Sequence, residues 1–449
     1  MATTLIKNVR IINEGIDRIG DVFLRNERIE RIDGTIELAA DCVIEGNGRL
    51  LIPGMIDDQV HFREPGLTHK ASIASESRAA VAGGITGFMD MPNTLPNTLS
   101  LDLLEDKYQL AQQSSLANYS FFMGISRSNM EEALKVDNEW VCGITDDGLY
   151  FNQEGSILCN HPDFLDQLFQ RCSTLVALHC ENEPEIHRQL AHYASIYGEN
   201  IPFELHPVIR SEQACYDATK TVVEIAKRHG NRLHVYHVST EKETHLFEAS
   251  LPLRNKRVTA EACVHHLTFS DEEYATKGAL IKWNPAVKTA QDRIGLVRAL
   301  KENRLDIVAT DHAPHTLEEK LKPYQKSMSG GPLVQHALPA LLEWYHRGEL
   351  SLTEIVAKTS HNVAELYRMV DRGYLREGYF ADLVLIDLNN PWSDSDTNLL
   401  YKCGWSPFEG RSFKSRICKT WVNGNLVYDE GRFNDSIKGK RLQFEKDRI

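Results

Sequence analysis

None of the nine cysteines stands in a C-x-x-C pair, and the number is odd. That spacing excludes a zinc ribbon, a thioredoxin-like redox centre and a stapled secreted framework; the thiols read as reduced, as in cytosolic proteins. No stretch approaches the roughly 18 apolar residues of a membrane span. The stretch Met1-Ala2-Thr3-Thr4-Leu5-Ile6-Lys7-Asn8-Val9-Arg10 has no uninterrupted apolar core, so no signal peptide is expected and the expected location is cytoplasmic. Basic residues are in the minority, with 50 Lys and Arg against 63 Asp and Glu and a formal net charge of -13. That balance argues against nucleic acid and anionic membranes as partners, while a locally basic pocket could still take an anionic small molecule. Internal repeats and low-complexity tracts are also missing.

What is present reads as an α/β enzyme. With 449 residues the chain is too long for one simple core, and two domains are expected. Residues 4–52 carry short strand patterns at 4–12, 21–24, 28–32 and 42–45, with Gly46-Asn47-Gly48 as a turn. From residue 50 the texture changes to short apolar strands alternating with helical periodicity, the pattern of parallel β/α construction. Strands are predicted at 55–62, 85–91, 119–125, 140–147, 174–180, 233–239, 258–264 and 306–310. Helices are predicted at 71–82, 101–113, 163–170, 211–229, 242–249, 333–346 and 353–369. Eight such units fit a (β/α)8 TIM barrel over residues 54–373. Strand patterns return at 381–387, 419–422 and 425–428, the last two joined through Asn423-Gly424. Residues 1–53 plus 374–449 are therefore expected to form one small composite β-sandwich domain. The segment between Asn182 and Ile209 reads as irregular and as a candidate lid, and the last ten or so residues read as frayed.

The chemistry gathers at predicted strand ends. Gln59 and His61 share one face of strand one, and Arg63 follows two residues later. Asn93 follows strand two; Asp146 and Asp147 end strand four; His179 ends strand five, His237 strand six and Asp311 strand eight. Barrels of this type carry their active sites at the C-terminal rim. Imidazole and carboxylate donors without thiolate suit Zn²⁺ or another divalent metal in a hydrolytic site. His265-His266 read as packing or support, His312 as pointing away from its neighbour Asp311, and Asp57-Asp58 as structural.

Taken together, several stretches resemble the dihydroorotase family of the amidohydrolase superfamily over nearly the whole chain. They are His61-Phe62-Arg63-Glu64-Pro65-Gly66, Met91-Pro92-Asn93-Thr94, Thr145-Asp146-Asp147-Gly148, Ala177-Leu178-His179-Cys180-Glu181, Tyr236-His237-Val238-Ser239-Thr240, Lys282-Trp283-Asn284-Pro285 and the run from Ala309 to His315. Gly378-Tyr379-Phe380-Ala381-Asp382-Leu383-Val384 and Ser406-Pro407-Phe408-Glu409-Gly410 resemble the family's C-terminal β segment. The resemblance implies that His61 and Asp311 hold one zinc, that His179 and His237 hold a second, and that Asp147 bridges them, with Asp146 as the alternative bridge. Relatives that bridge with a carboxylated lysine have it on the same strand, near the place where Thr145 stands here. Arg63 and Asn93, helped by His315, would bind a substrate carboxylate, while Asn284 and the backbone near Gly331-Pro332 would hold ring amides.

The implied reaction is metal-dependent, reversible closure of N-carbamoyl-L-aspartate to dihydroorotate in pyrimidine biosynthesis, with Asp311 moving the proton. A homodimer and an aspartate transcarbamoylase partner are among the assemblies the resemblance allows. One departure stands out: the family's His-x-His is Gln59-Val60-His61 here. An amide is a poor zinc ligand beside imidazole, so at least one zinc is expected while the two-metal centre loses a donor. Two rival readings follow. One is another cyclic-amide hydrolase, such as an allantoinase or dihydropyrimidinase. The other, prompted by Gln59, is a catalytically silent partner of aspartate transcarbamoylase, which the retained Arg63, Asn93, His179, His237 and Asp311 oppose.

Overall fold

The computed structural model describes residues 2–151, 157–395 and 398–446. Its centre is a ring of eight parallel strands: β1 (Met55–Val60), β2 (Ile85–Asp90), β3 (Asn118–Phe121, resuming at Met123–Gly124), β4 (Ile144–Thr145), β5 (Val176–Leu178), β6 (Leu233–Val235), β7 (Val258–Cys263) and β8 (Ile307–Ala309). Every residue of these strands is buried, as expected where helices cover the outer face of a parallel sheet. The two parts of β3 pair with β2 and β4 respectively. Closure comes from a parallel bridge between Val60 and His312, with the His61 amide donating to the His312 carbonyl at 2.7 Å.

A nine-stranded sheet lies against the barrel and draws strands from both ends of the chain. Leu50–Pro53 runs parallel to Thr3–Asn13 and antiparallel to Leu383–Asp387. Arg416–Val422 and Asn425–Asp429 extend it through the Asn423-Gly424 turn, where both residues take positive φ. Period-two alternation divides its side chains. Ile12, Leu50, Ile52, Val384 and Ile386 join the barrel core, while Ile11, Leu51, Leu383, Leu385 and Trp421 close a separate apolar layer with Ile6, Val22 and Leu24. Among the described residues, no helix is long and apolar enough to cross a membrane.

Five local expectations need correction, the first being the helix expected at 242–249, which ends at Thr244. Only Ile144–Thr145 is laddered in the fourth strand, because Asp137 starts a turn whose carbonyl accepts the amides of Trp140 and Val141. The segment after strand five is not irregular: Glu183–Tyr197 is a helix, with Asn182 capping the Glu185 amide and a proline in the first turn. The expected helix 353–369 is interrupted by a π-turn at Ala357–His361, where the Thr359 hydroxyl donates back to the Ile355 carbonyl and the Ser360 hydroxyl to that of Gly54. Residues 440–446 of the tail are not frayed: Leu442 donates to the Tyr119 carbonyl at 2.8 Å, and Leu442 and Phe444 are buried; 447–449 lie outside the described residues.

Because the tail closes part of the core, Phe444→Ala should cost about 3–5 kcal/mol, seen as a lower midpoint in denaturant unfolding. An unchanged midpoint would mean that the tail is loose in solution.

Candidate active site

The residues following the barrel strands converge at their C-terminal rim. His179 follows β5, His237 lies two residues beyond β6, and Asp147 lies two residues beyond β4. His179 Nδ1 stands 2.9 Å from His237 Nε2, and Asp147 Oδ1 stands 3.6 Å from the first and 3.8 Å from the second. Tetrahedral zinc with bonds of about 2.0–2.1 Å requires ligand separations of about 3.3 Å, so these three edges bracket the requirement. All three residues are buried, and the donor atoms face one another across the mouth. The set therefore fits a divalent metal. Burial alone would raise the Asp147 carboxyl, but hydrogen bonds with His179 and His237 and the charge of His61 hold it well below its usual range. Burial opposes charge on His179 as well, yet Asp147 and Glu181 carry its pKa up to about 10.

Glu181 carried no role in the sequence reading, and the structure supplies one. Its Oε2 lies 2.9 Å from His179 Nε2 and pairs with Arg210. Such a carboxylate fixes the ring so that Nδ1 is left to face the candidate metal position. The sequence signal was its place two residues after His179. Asp146, the alternative bridge, is committed elsewhere: its two oxygens accept the backbone amides of Leu158 at 2.7 Å and His179 at 3.1 Å.

Across the mouth, His61 sets both ring nitrogens against acceptors, Asn93 Oδ1 at 2.8 Å and Asp311 Oδ1 at 3.1 Å. Burial lowers the pKa of His61, but Asp311 and Asp147 outweigh that and raise it. Gln59 donates from Nε2 to Asp147 Oδ2 at 3.2 Å. Arg63, His237 and Asp311 have φ of 67°, 38° and 51°, left-handed conformations that cost non-glycine residues roughly 1–3 kcal/mol each and recur at functional sites.

Arg63, Asn93, Asn284, Tyr150 and Ser329 line the cavity beside His61, Asp147 and Asp311. His315 sits behind the guanidinium, with Nε2 3.1 Å from Arg63 and Nδ1 3.0 Å from Lys70. Its geometry is that of a support for Arg63. Glu64 does not pair with Arg63; it accepts the Ile73 amide at 2.8 Å. The secondary histidines pack as expected. His265 stacks on Trp283, His266 meets the Pro285 carbonyl at 3.1 Å, and His312 turns toward Glu76.

Glu181→Gln removes the charge that orients His179. Metal affinity should fall about 10–100-fold, measured by competition with a chromogenic chelator. Unchanged affinity would remove Glu181 from the metal-orienting role.

Residues 50–427 match the family model described as "Amidohydrolase family". Curated relatives include a dihydroorotase of Ehrlichia canis, 29% identical over 438 residues with 94% of each chain covered, and one of Methanosarcina acetivorans, 30% identical over 460 residues with 98% of this chain and 97% of the relative covered. Similar solved structures include an L-hydantoinase (dihydropyrimidinase) from Arthrobacter aurescens, with TM-score 0.91 and 23% identity over 99% of this chain and 100% of that one. A dihydropyrimidinase from Brevibacillus agri gives TM-score 0.84 and 21% identity over 96% of each. At those identities the solved structures establish the fold alone. The chain belongs to the amidohydrolase family, as a dihydroorotase-like cyclic-amide hydrolase.

Proposed function

We propose that the chain is a dihydroorotase that closes N-carbamoyl-L-aspartate to (S)-dihydroorotate and opens the ring in reverse, with zinc as its metal. Arg63 is the observation that carries this reading. Its guanidinium is buried at the cavity wall, and its hydrogen bonds go to two neutral acceptors, the Pro314 carbonyl at 3.1 Å and His315 Nε2. Burial lowers its pKa to about 10, so it stays charged at neutral pH. A buried cation held by neutral groups favours an anion in the space before it, and the planar fork matches a carboxylate. Dihydroorotate carries such a group on its ring; dihydrouracil and hydantoin do not.

The other residues complete the site. Asp147, His179 and His237 would hold the metal, which when bound polarises an amide carbonyl and lowers the pKa of water from 15.7 toward about 7. Asp311 accepts the proton lost from the attacking water during ring opening and returns it to the leaving ring nitrogen; closure reverses both transfers. His61 engages Asp311 Oδ1 and holds the carboxylate toward the cavity. The Asn284 side-chain oxygen is buried without a hydrogen-bond partner, an acceptor suited to a ring N–H.

Ring opening should proceed with dihydroorotate and fail with dihydrouracil, hydantoin and allantoin. Arg63→Met should raise KM about 10–100-fold, the effect of losing charge-assisted hydrogen bonds of about 1.5–3 kcal/mol. Asp311→Asn should lower kcat by about 10²–10⁴-fold. Equal kcat/KM on an uncharged ring would overturn the assignment.

A further inference from the structure

Asp147 turns its two oxygens toward different groups. Oδ1 faces His179 and His237, while Oδ2 faces His61 Nε2 at 3.4 Å and the Gln59 amide nitrogen at 3.2 Å. An ionised carboxylate only accepts, so Gln59 must present its NH2 end to it. The opposite end, Gln59 Oε1, takes the Cys263 thiol at 3.4 Å. Both ends of the amide are thus committed, and the end at the cavity is a donor with no lone pair to offer a metal.

The remaining donors do not close on their own. His61 Nε2 lies 3.1 Å from Asp311 Oδ1 and 3.4 Å from Asp147 Oδ2, but the two carboxylates do not come together to complete the triangle. Among the described residues, donor atoms of Asp147, His179 and His237 all lie within 4.8 Å of one another; those of His61, Asp147 and Asp311 form no such group. One side of the mouth is therefore shaped for an ion, and the other for a hydrogen-bonded pair.

We propose that the chain holds one divalent ion, on Asp147 Oδ1, His179 and His237, and that Gln59 fills the second metal position by donating to Asp147 Oδ2. His61 and Asp311 then form a metal-free pair. The inference rests on the metal-dependent reading of the site and adds the number and place of the ion. It also explains how a chain with glutamine at this position keeps Asp147 oriented: the amide N–H holds the oxygen that a second ion would have held. Asp311, freed from ligation, keeps its lone pairs for the proton.

The test is a metal count on the full chain. Apoprotein is reconstituted with excess Zn²⁺, gel-filtered, and zinc per chain is measured by inductively coupled plasma mass spectrometry. The wild type should hold one equivalent and Gln59→His two, with one anomalous peak in wild-type crystals at Asp147, His179 and His237. Two equivalents in the wild type, or a peak between His61 and Asp311, would overturn the proposal; so would none. The wild-type count and map decide the question even if the variant does not fold. Dihydroorotate turnover on the same sample separates the two readings: one equivalent without turnover supports the single ion and rejects the dihydroorotase assignment.

Discussion

Four buried carboxylates fix the mouth of the barrel by accepting backbone amides beside the site residues. Asp57 accepts Thr310 at 3.0 Å, Asp90 accepts Phe62 at 2.6 Å, Asp146 accepts His179 and Glu261 accepts His237, both at 3.1 Å. The need is general: a strand that leaves the ladder to present a ligand strands its next amide in the interior, at a cost of about 1–3 kcal/mol if nothing accepts it. A carboxylate from a neighbouring strand satisfies that amide and fixes the ligand's backbone at the same time. It also helps hold His237 and Asp311 in left-handed conformations, which nothing local in the chain favours.

Burying those carboxylates raises a charge problem that the fold solves in two ways. Asp90 meets Lys107 at 2.7 Å, a fully enclosed ion pair. Elsewhere the carboxyls drift toward neutrality: burial pushes Asp57 and Asp146 up to about 7 and Glu261 well above its ordinary value. Glu261 belongs with Asp58 and His234 to a second cluster whose donors approach within 4.8 Å. Distance alone makes it resemble the candidate metal triad. Their place separates the two: Asp147 lines the cavity at the mouth, and none of Asp58, His234 and Glu261 does. Both His234 nitrogens are engaged, by Thr259 at 2.9 Å and Glu261 at 3.1 Å, and Tyr367 donates to Asp58 at 2.8 Å. That cluster is a hydrogen-bonded floor, and Cys263 links it upward to Gln59.

Much of this was legible in the sequence, for a definite reason. Strand alternation and helix periodicity are local, and donors at the ends of parallel strands must share a rim, so His61, Asp147, His179, His237 and Asp311 could be gathered without coordinates. What stayed hidden depends on partners distant along the chain. The amide end that Gln59 turns to Asp147 is set by that carboxylate, 88 residues away, and agrees with the Cys263 thiol, 204 residues away, at the opposite end. Asp57 reads only as structural and Asp146 as an alternative metal bridge until Thr310 and His179 arrive at their oxygens. The Asn182 cap and following proline did announce the helix Glu183–Tyr197, and the expectation of an irregular segment overlooked them. The buried tail is a tertiary outcome: its charged residues hid Leu442 and Phe444, whose pockets exist only once the barrel has formed.

The same dependence on tertiary partners underlies the selectivity proposed for the site. The barrel is shared with hydantoinase structures, so specificity must come from side chains at the mouth. Arg63 could have been held by a carboxylate, which would have fixed it equally well and neutralised it before any substrate arrived. The structure instead places His315 there, between Arg63 and Lys70. Burial first, and then the neighbouring Arg63 charge, drive His315 well below its ordinary pKa. It is therefore a neutral acceptor. Glu319 lies behind it, 3.1 Å from Lys70, so the nearby carboxylate balances the lysine. Arg63 keeps its full charge for the cavity in a protein whose overall charge is strongly negative. A local positive field made this way attracts a carboxylate that the surface as a whole repels.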